Sequence, residues 1–321
     1  MPKAKANMKA TWTPSDISPL SGKRILITGA NSGIGYHAAL VLAQKGAHVI
    51  LACRDPRRGE AALARLKTSA AGASAELVTL DLASLDSIRE FARGELAAQR
   101  PLHTLINNAG VMAPPKRLET ADGFEIQFGT NVLGHFALTG LLMPLLERAA
   151  VSERARVVTV ASIAHKRGRL NFDDLQSARH YSPMQSYQQS KLADLMFSLE
   201  LDRRLRAADS RVMSIAAHPG VANTNLFRAG ERSALDSAMR AVASQLIGAV
   251  LNSDDTGALP TLYAATSPDV TGGGYYGPTE WMEMRGDRVG NAAIAPQAQD
   301  AESARRLWEV CETLTGMQFP L

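Results

Sequence analysis

Short apolar runs alternate with stretches of helical period along most of the 321-residue chain. Ile25–Ile27, Ala47–Ala52, Glu76–Leu80, Thr104–Ile106, Arg156–Val160 and Arg211–Ala217 are runs of this kind. Their length and apolar character match strands buried on both faces of a parallel sheet. Between them lie helical patterns. One starts at Ile34, continues through Ala38, Ala39, Leu42 and Ala43, and stops at Gly46; others span Arg57–Lys67, Ser84–Ala98, Gly123–Arg148 and Ser186–Ala207. Successive strands separated by helices predict an α/β fold, a single doubly wound parallel sheet with helices on both faces and right-handed crossovers. Past Gly220 the rhythm weakens. Ser233–Leu251 and Thr256–Ala265 are apolar at helical spacing, Gly272–Tyr276 reads as a last strand, and Ala301–Gly316 as an amphipathic helix. Residues 1–20, with Pro2, Pro14 and Pro19 and no period, are expected to form a flexible arm. Residues 21–321 then form one domain, with a substrate-loop insert over 221–255.

Composition changes this picture little. An apolar content of 45% and a charged content of 21% describe an ordinary globular protein. The net charge of +4 is small, and Lys3, Lys5 and Lys9 of the arm supply part of it, so no nucleic-acid partner is expected. Apolar runs fall short of the roughly 20 residues that cross a bilayer, and the start lacks an apolar signal region. No membrane span is expected, and the location is expected to be cytoplasmic. Cys53 and Cys311 match no metal spacing and are read as free thiols, with no metal site.

Chemistry collects where strands end. Arg24–Gly35 (RILITGANSGIG) is a strand, a glycine-rich turn and a helix start. Backbone N–H groups and the positive helix end converge there, and missing side chains let a pyrophosphate approach. The spacing differs from the Gly-x-Gly-x-x-Gly fingerprint, so the loop by itself also fits a ligand-free tight turn. Cys53-Arg54, Asp81-Leu82, Asn107–Gly110, Ala161-Ser162 and His218–Gly220 fall at the same carboxyl edge, where open parallel sheets bind ligands. Tyr187 and Lys191 are four apart in a helix and share a face. An ammonium beside a phenol favours the phenolate, and such a phenol can exchange a proton with a carbonyl or alcohol oxygen. Ser162 adds a hydroxyl able to hold that oxygen. The second strand ends at neutral Cys53 rather than at an acidic residue that would bond a ribose 2′-hydroxyl, and Arg54 follows with a fork suited to a 2′-phosphate. NADP(H) is therefore favoured over NAD(H), with Asp55 the residue that would pair with Arg54 or, after a shift of register, take the acidic role.

Taken together, TGANSGIG at Thr28–Gly35, NNAG at Asn107–Gly110, Asn131, Ser162, YQQSK at Tyr187–Lys191 and HPG at His218–Gly220 resemble the short-chain dehydrogenase/reductase family in kind and order. ACRD at Ala52–Asp55, Ala164-His165 after Ser162, SKLA at Ser190–Ala193 and YYGP at Tyr275–Pro278 are similar to its retinol-dehydrogenase-like and WW-domain-oxidoreductase-like branch. The resemblance implies Tyr187 as acid/base, Lys191 on the nicotinamide ribose, Ser162 on the substrate oxygen, and Asn131 on a water linking Lys191 to solvent. It implies Gly29, Asn31, Ser32 and Ile34 along the pyrophosphate and adenosine, and Asp81 and Leu82 around the adenine. Asn108, Ala109 and Gly110 are implied on the ribose side, with Pro219, Val221 and Thr224 at the nicotinamide amide. The insert Arg167–Pro183 is expected to wall the substrate pocket, and 229–251 to serve as lid, core packing or subunit contact. His165 and His180, lacking a paired carboxylate, are expected in structural or substrate-contact roles. The implied activity is NADP(H)-dependent hydride transfer to or from an apolar carbonyl or alcohol carbon, with homo-oligomers built through the two long helices. Two other classes compete: an NADP(H)-binding sensor or scaffold without turnover, and an epimerase or dehydratase on the same fold. The joint presence of Asn131, Ser162, Tyr187 and Lys191 argues against the first, and the glycine spacing against the second.

Overall fold

A computed structural model describes residues 11–221 and 252–321. Its sheet has eight strands: β1 (Arg24–Thr28), β2 (His48–Cys53), β3 (Ala75–Thr79), β4 (Thr104–Asn107), β5 (Arg156–Val160), β6 (Met213–Ala217), β7 (Tyr275–Pro278) and β8 (Val289–Asn291). Their order is β3-β2-β1-β4-β5-β6-β7-β8. Pairing is parallel through β7, and β8 returns antiparallel, Gly277 facing Gly290. The chain order reverses between β1 and β4, which opens a crevice at the carboxyl ends of those two strands.

Alternation along β1 explains the two layers. Leu26 faces one way, with Ile50, Leu105 and Val157, onto α3 (Leu85–Ala98), α4 (Gly134–Ala150), α5 (Pro183–Ala207) and α7 (Ala301–Thr315). Ile25 and Ile27 face the other way, with Val49, Leu51 and Val158, onto α1 (Gly33–Gln44), α2 (Pro56–Ser69) and α6 (Asp254–Thr266). A strand buried on both sides reads as a continuous apolar run, as this one does.

Four features differ from the sequence expectation. The last parallel strand is Tyr275–Pro278 rather than Gly272–Tyr276, because Gly274 precedes the pairing of Tyr275 with Ala216. The helix expected from Gly123 begins instead with a π-helical turn, Phe128–Leu133, which runs into α4. Residues 11–20 do not swing free: Trp12 packs edge-on against Tyr263, and Ile17 is buried. The edge strand β8 had no recognised periodic signal, since Val-Gly-Asn is too short to show one. The segment Phe128–Ala150 is long and apolar enough to cross a membrane, but nearly all of it is buried inside this fold. Such a helix is hydrophobic all round because it is core. The 229–251 segment lies outside the described residues, as does Thr224.

Candidate active site

A cavity of about 510 Å³ occupies the crevice. Gly29, Asn31, Ser32 and Ile34 line it from the glycine loop, Arg54 from the end of β2, and Asp81 and Leu82 from the end of β3. Asn108, Ala109 and Gly110 follow β4, and Ser162 follows β5. Tyr187 and Lys191 come from α5, and Pro219 and Val221 from the loop after β6. The described residues expected along the dinucleotide therefore reach one cavity together with Ser162, Tyr187 and Lys191, while Asn131 does not line it.

The glycine loop is shaped for close approach. Gly29 is left-handed, with φ of 67°, and a Cβ there would sit 3.0 Å from Ala109. A Cβ on Gly35 would fall on the Asn108 amide and 2.7 Å from the Gly29 carbonyl. Ser32 precedes α1 in extended conformation and makes no side-chain cap bond, so the first N–H groups of α1 are left to the cavity. That donor set fits a pyrophosphate. Thr28 ties this loop to the turn after β4: its Oγ1 accepts the N–H groups of Asn108 (2.9 Å) and Ala109 (3.0 Å), while Asn108 Nδ2 donates to the Thr28 carbonyl at 2.8 Å. With both lone pairs used, the Thr28 hydroxyl donates its proton to His135 Nε2 at 2.9 Å, and His135 Nδ1–H donates to the Asn131 carbonyl at 2.8 Å. This donor accounting assigns the tautomer. Burial drives the His135 pKa down to about 3, so the ring is neutral.

The π-helical turn explains Asn131. Its Oδ1 accepts from Val111 N at 2.8 Å, and its Nδ2 donates to the Val111 carbonyl and to Ser190 Oγ, each at 3.0 Å. Both ends of the amide thus have protein partners. Ser190 in turn donates to the Tyr187 carbonyl at 2.9 Å, fixing the turn of α5 that carries the phenol.

Ser162 follows β5 as the cap of a 3₁₀ turn, Ile163–Arg167, and its Oγ accepts from Ala164 N at 3.2 Å. Its carbonyl accepts His165 Nδ1–H at 2.7 Å, and His165 Nε2 accepts from Ala295 N at 3.3 Å. His165 is buried, and its pKa is lowered mainly by that burial. It is a structural brace for Ser162. His180 is exposed and does not line the cavity. The Arg167–Pro183 insert does not line the cavity either, contrary to expectation. It packs on α5 and on residues 114–127, with Tyr181 donating to the Pro114 carbonyl at 2.7 Å. Met112, Ile163, Ala164 and Met184 supply the apolar wall instead.

Lys191 is buried one turn after Tyr187. Its ammonium donates to the Val160 carbonyl at 2.9 Å and to Asp194 Oδ2 at 2.8 Å. Burial pulls its pKa down, but the Asp194 carboxylate, with a smaller contribution from the Tyr187 oxygen when ionised, pulls it up by more, so it stays charged.

At the adenosine end, Asp55 caps α2 by accepting the Arg58 N–H at 3.2 Å, and its carboxylate does not line the cavity. Arg54 and Arg58 both do. Cys53 is buried and its thiol pushed up to about 11 by that burial, so it is neutral. Arg58 was not recognised in the sequence; its signal is the i,i+4 spacing from Arg54 across the start of a helix.

Residues 23–234 match the model of the short chain dehydrogenase family. The chain belongs to the short-chain dehydrogenase/reductase family. Among curated relatives, human retinol dehydrogenase 13 is 40% identical over 305 residues, covering 94% of this chain and 87% of that protein. Mouse polyprenol dehydrogenase is 40% identical over 312 residues, covering 96% and 88%. The structure of an uncharacterized protein from Mycobacterium paratuberculosis is 42% identical with a TM-score of 0.79, covering 97% of this chain and all of that one. The RhlG/NADP complex of Pseudomonas aeruginosa is 25% identical with a TM-score of 0.61, covering 81% and 95%. This short-chain dehydrogenase/reductase is of the retinol-dehydrogenase-like branch, an oxidoreductase that uses a nicotinamide cofactor on a small-molecule substrate.

Proposed function

We propose that this enzyme transfers a hydride between NADP(H) and an apolar aldehyde, ketone or matching alcohol, with Tyr187 as proton donor and acceptor. The observation that carries the proposal is the convergence of Tyr187, Lys191 and Ser162 on the cavity that the glycine loop and Arg54 enter from its other end. When bound, the nicotinamide supplies or takes the hydride. The chain does the rest. The Ser162 hydroxyl is held at the strand end by its own turn and faces the cavity, so it can hydrogen-bond a substrate oxygen. Tyr187 lines the same cavity, is largely buried, and gives a proton to that oxygen during reduction or takes one from the alcohol during oxidation. The Lys191 ammonium has a third N–H beyond its two protein partners, which would hold the cofactor ribose. Arg54 and Arg58 would hold the 2′-phosphate.

Two supports come from relatives. Curated relatives are named for retinol and polyprenol, both apolar alcohols, which agrees with the wall of Met112, Ile163 and Met184. RhlG is known in a complex with NADP. The test is NADPH and NADH oxidation against a panel of aldehydes, ketones and quinones. NADPH-selective turnover is expected, and Tyr187→Phe is expected to lower kcat by about 10²–10⁴-fold with NADPH affinity retained. Full turnover in that variant refutes the proton role. Tight NADPH binding without turnover across the panel favours the sensor reading instead.

A further inference from the structure

Lys191 shares its ammonium with a second residue that none of the motifs includes. Asp194 lies one turn further along α5, is 2% exposed, and bonds Lys191 Nζ at 2.8 Å. With the Val160 carbonyl at 2.9 Å, two of the three N–H directions of the ammonium are fixed by protein. We propose that Asp194 is a positioning residue for Lys191, which orients the ammonium at the end of β5 and partly cancels its charge at the cofactor ribose position. The proposal rests on the reading of Lys191 as a ribose-binding residue.

The physical argument is one of charge in a dry place. An isolated ammonium in the core is costly, and a carboxylate in contact offsets that cost. The same carboxylate reduces the field that reaches an anionic dinucleotide from Lys191. Other titratable groups face the pair from three helices. Tyr187 lies on α5 itself. His135, on α4, is neutral because burial lowers it to about 3. Cys311, on α7, has a thiol raised first by burial and then by the Asp194 and Glu312 carboxylates, so it stays protonated. Burial raises Asp194 itself to about 6, against the pull of Lys191. Asp194 is thus the carboxylate held directly against Lys191, and burial moves its titration toward neutral pH.

The test uses NADH, which has no 2′-phosphate to titrate, and reads equilibrium binding by nicotinamide fluorescence from pH 5 to 8.5. The whole chain is compared with Asp194→Asn, which keeps an oxygen acceptor and removes the charge. The expected result is that the parent binds NADH more weakly as pH rises through about 6, while the variant lacks that step. Parallel pH curves with equal affinities overturn the proposal. Asp194→Ala carries the same expectation should the amide variant fail to fold. Lys191→Met separates the two levels. If it leaves NADH affinity unchanged, the ribose-binding reading itself fails. If it weakens binding while the Asp194 variants do nothing, only the positioning role fails.

Discussion

Removing the two arginines at the adenosine end tests cofactor choice most directly. Arg54 leaves β2 and Arg58 sits in the first turn of α2, and both residues line the cavity. A hydrogen bond from a charged donor to phosphate contributes about 1.5–3 kcal/mol when sheltered. Both side chains are exposed, so solvent screening reduces this to about 1 kcal/mol each. Each single substitution, Arg54→Ala or Arg58→Ala, should weaken NADPH binding by about fivefold, and the pair by about thirtyfold at low salt. NADH should bind the double variant as it binds the parent, because it presents no phosphate there. Fluorescence titration of both cofactors at two salt concentrations gives the ratio directly, and added salt should erode the parent's preference for NADPH. An unchanged NADPH-to-NADH ratio in the double variant refutes the reasoning. Asp55→Ala is the companion control. Its carboxylate caps α2, so its loss should cost about 1 kcal/mol of stability and leave NADH affinity alone. Loss of NADH binding would instead give Asp55 the ribose-binding role.

Gly35→Ala should lower stability by about 2–3 kcal/mol and abolish tight cofactor binding, since its methyl group would displace the Asn108 amide from the Thr28 carbonyl; urea unfolding with cofactor titration checks both. Acid should also destabilise the fold. His135 and His218 are held near pKa 3 by burial, so the unfolded chain takes up protons below about pH 6.5 that the folded chain refuses. From pH 7 to 5.5 these two rings remove about 2.5 kcal/mol, and Asp194, whose raised pKa works in the opposite sense, returns about 1 kcal/mol. A urea midpoint that does not fall over this interval would show that the imidazoles are protonated or solvated in the folded state.

The parts legible in the sequence are those that local rules control. A run buried on both faces is apolar at every position, so Ile25–Ile27 declared both its state and its neighbours. Once the strands are placed, the switch point follows from order, and the residues just past each strand must meet there. That is why the sequence alone places Gly29, Arg54, Asp81, Asn108, Ser162 and Pro219 at one edge. Where the reading stopped, the controlling contact was between distant segments. The π-helical turn at Phe128–Leu133 has no periodic signature; it places the Asn131 carbonyl where His135 can take it and the amide where Val111 and Ser190 can. His135 itself read as a residue of an apolar helix, and only the approach of α4 to β1 gives it Thr28 as a partner. Asp194 shows the intermediate case. Its spacing from Lys191 is visible as i,i+3 on one helix, where such a pair is ordinarily a solvated surface contact of little worth. Its meaning changes only when α7 covers α5 and both charges become buried. A buried pair cannot lose one member without leaving the other uncompensated. The residue that gives Lys191 a stable charge is thereby the same residue that limits how strongly the charge acts on a cofactor.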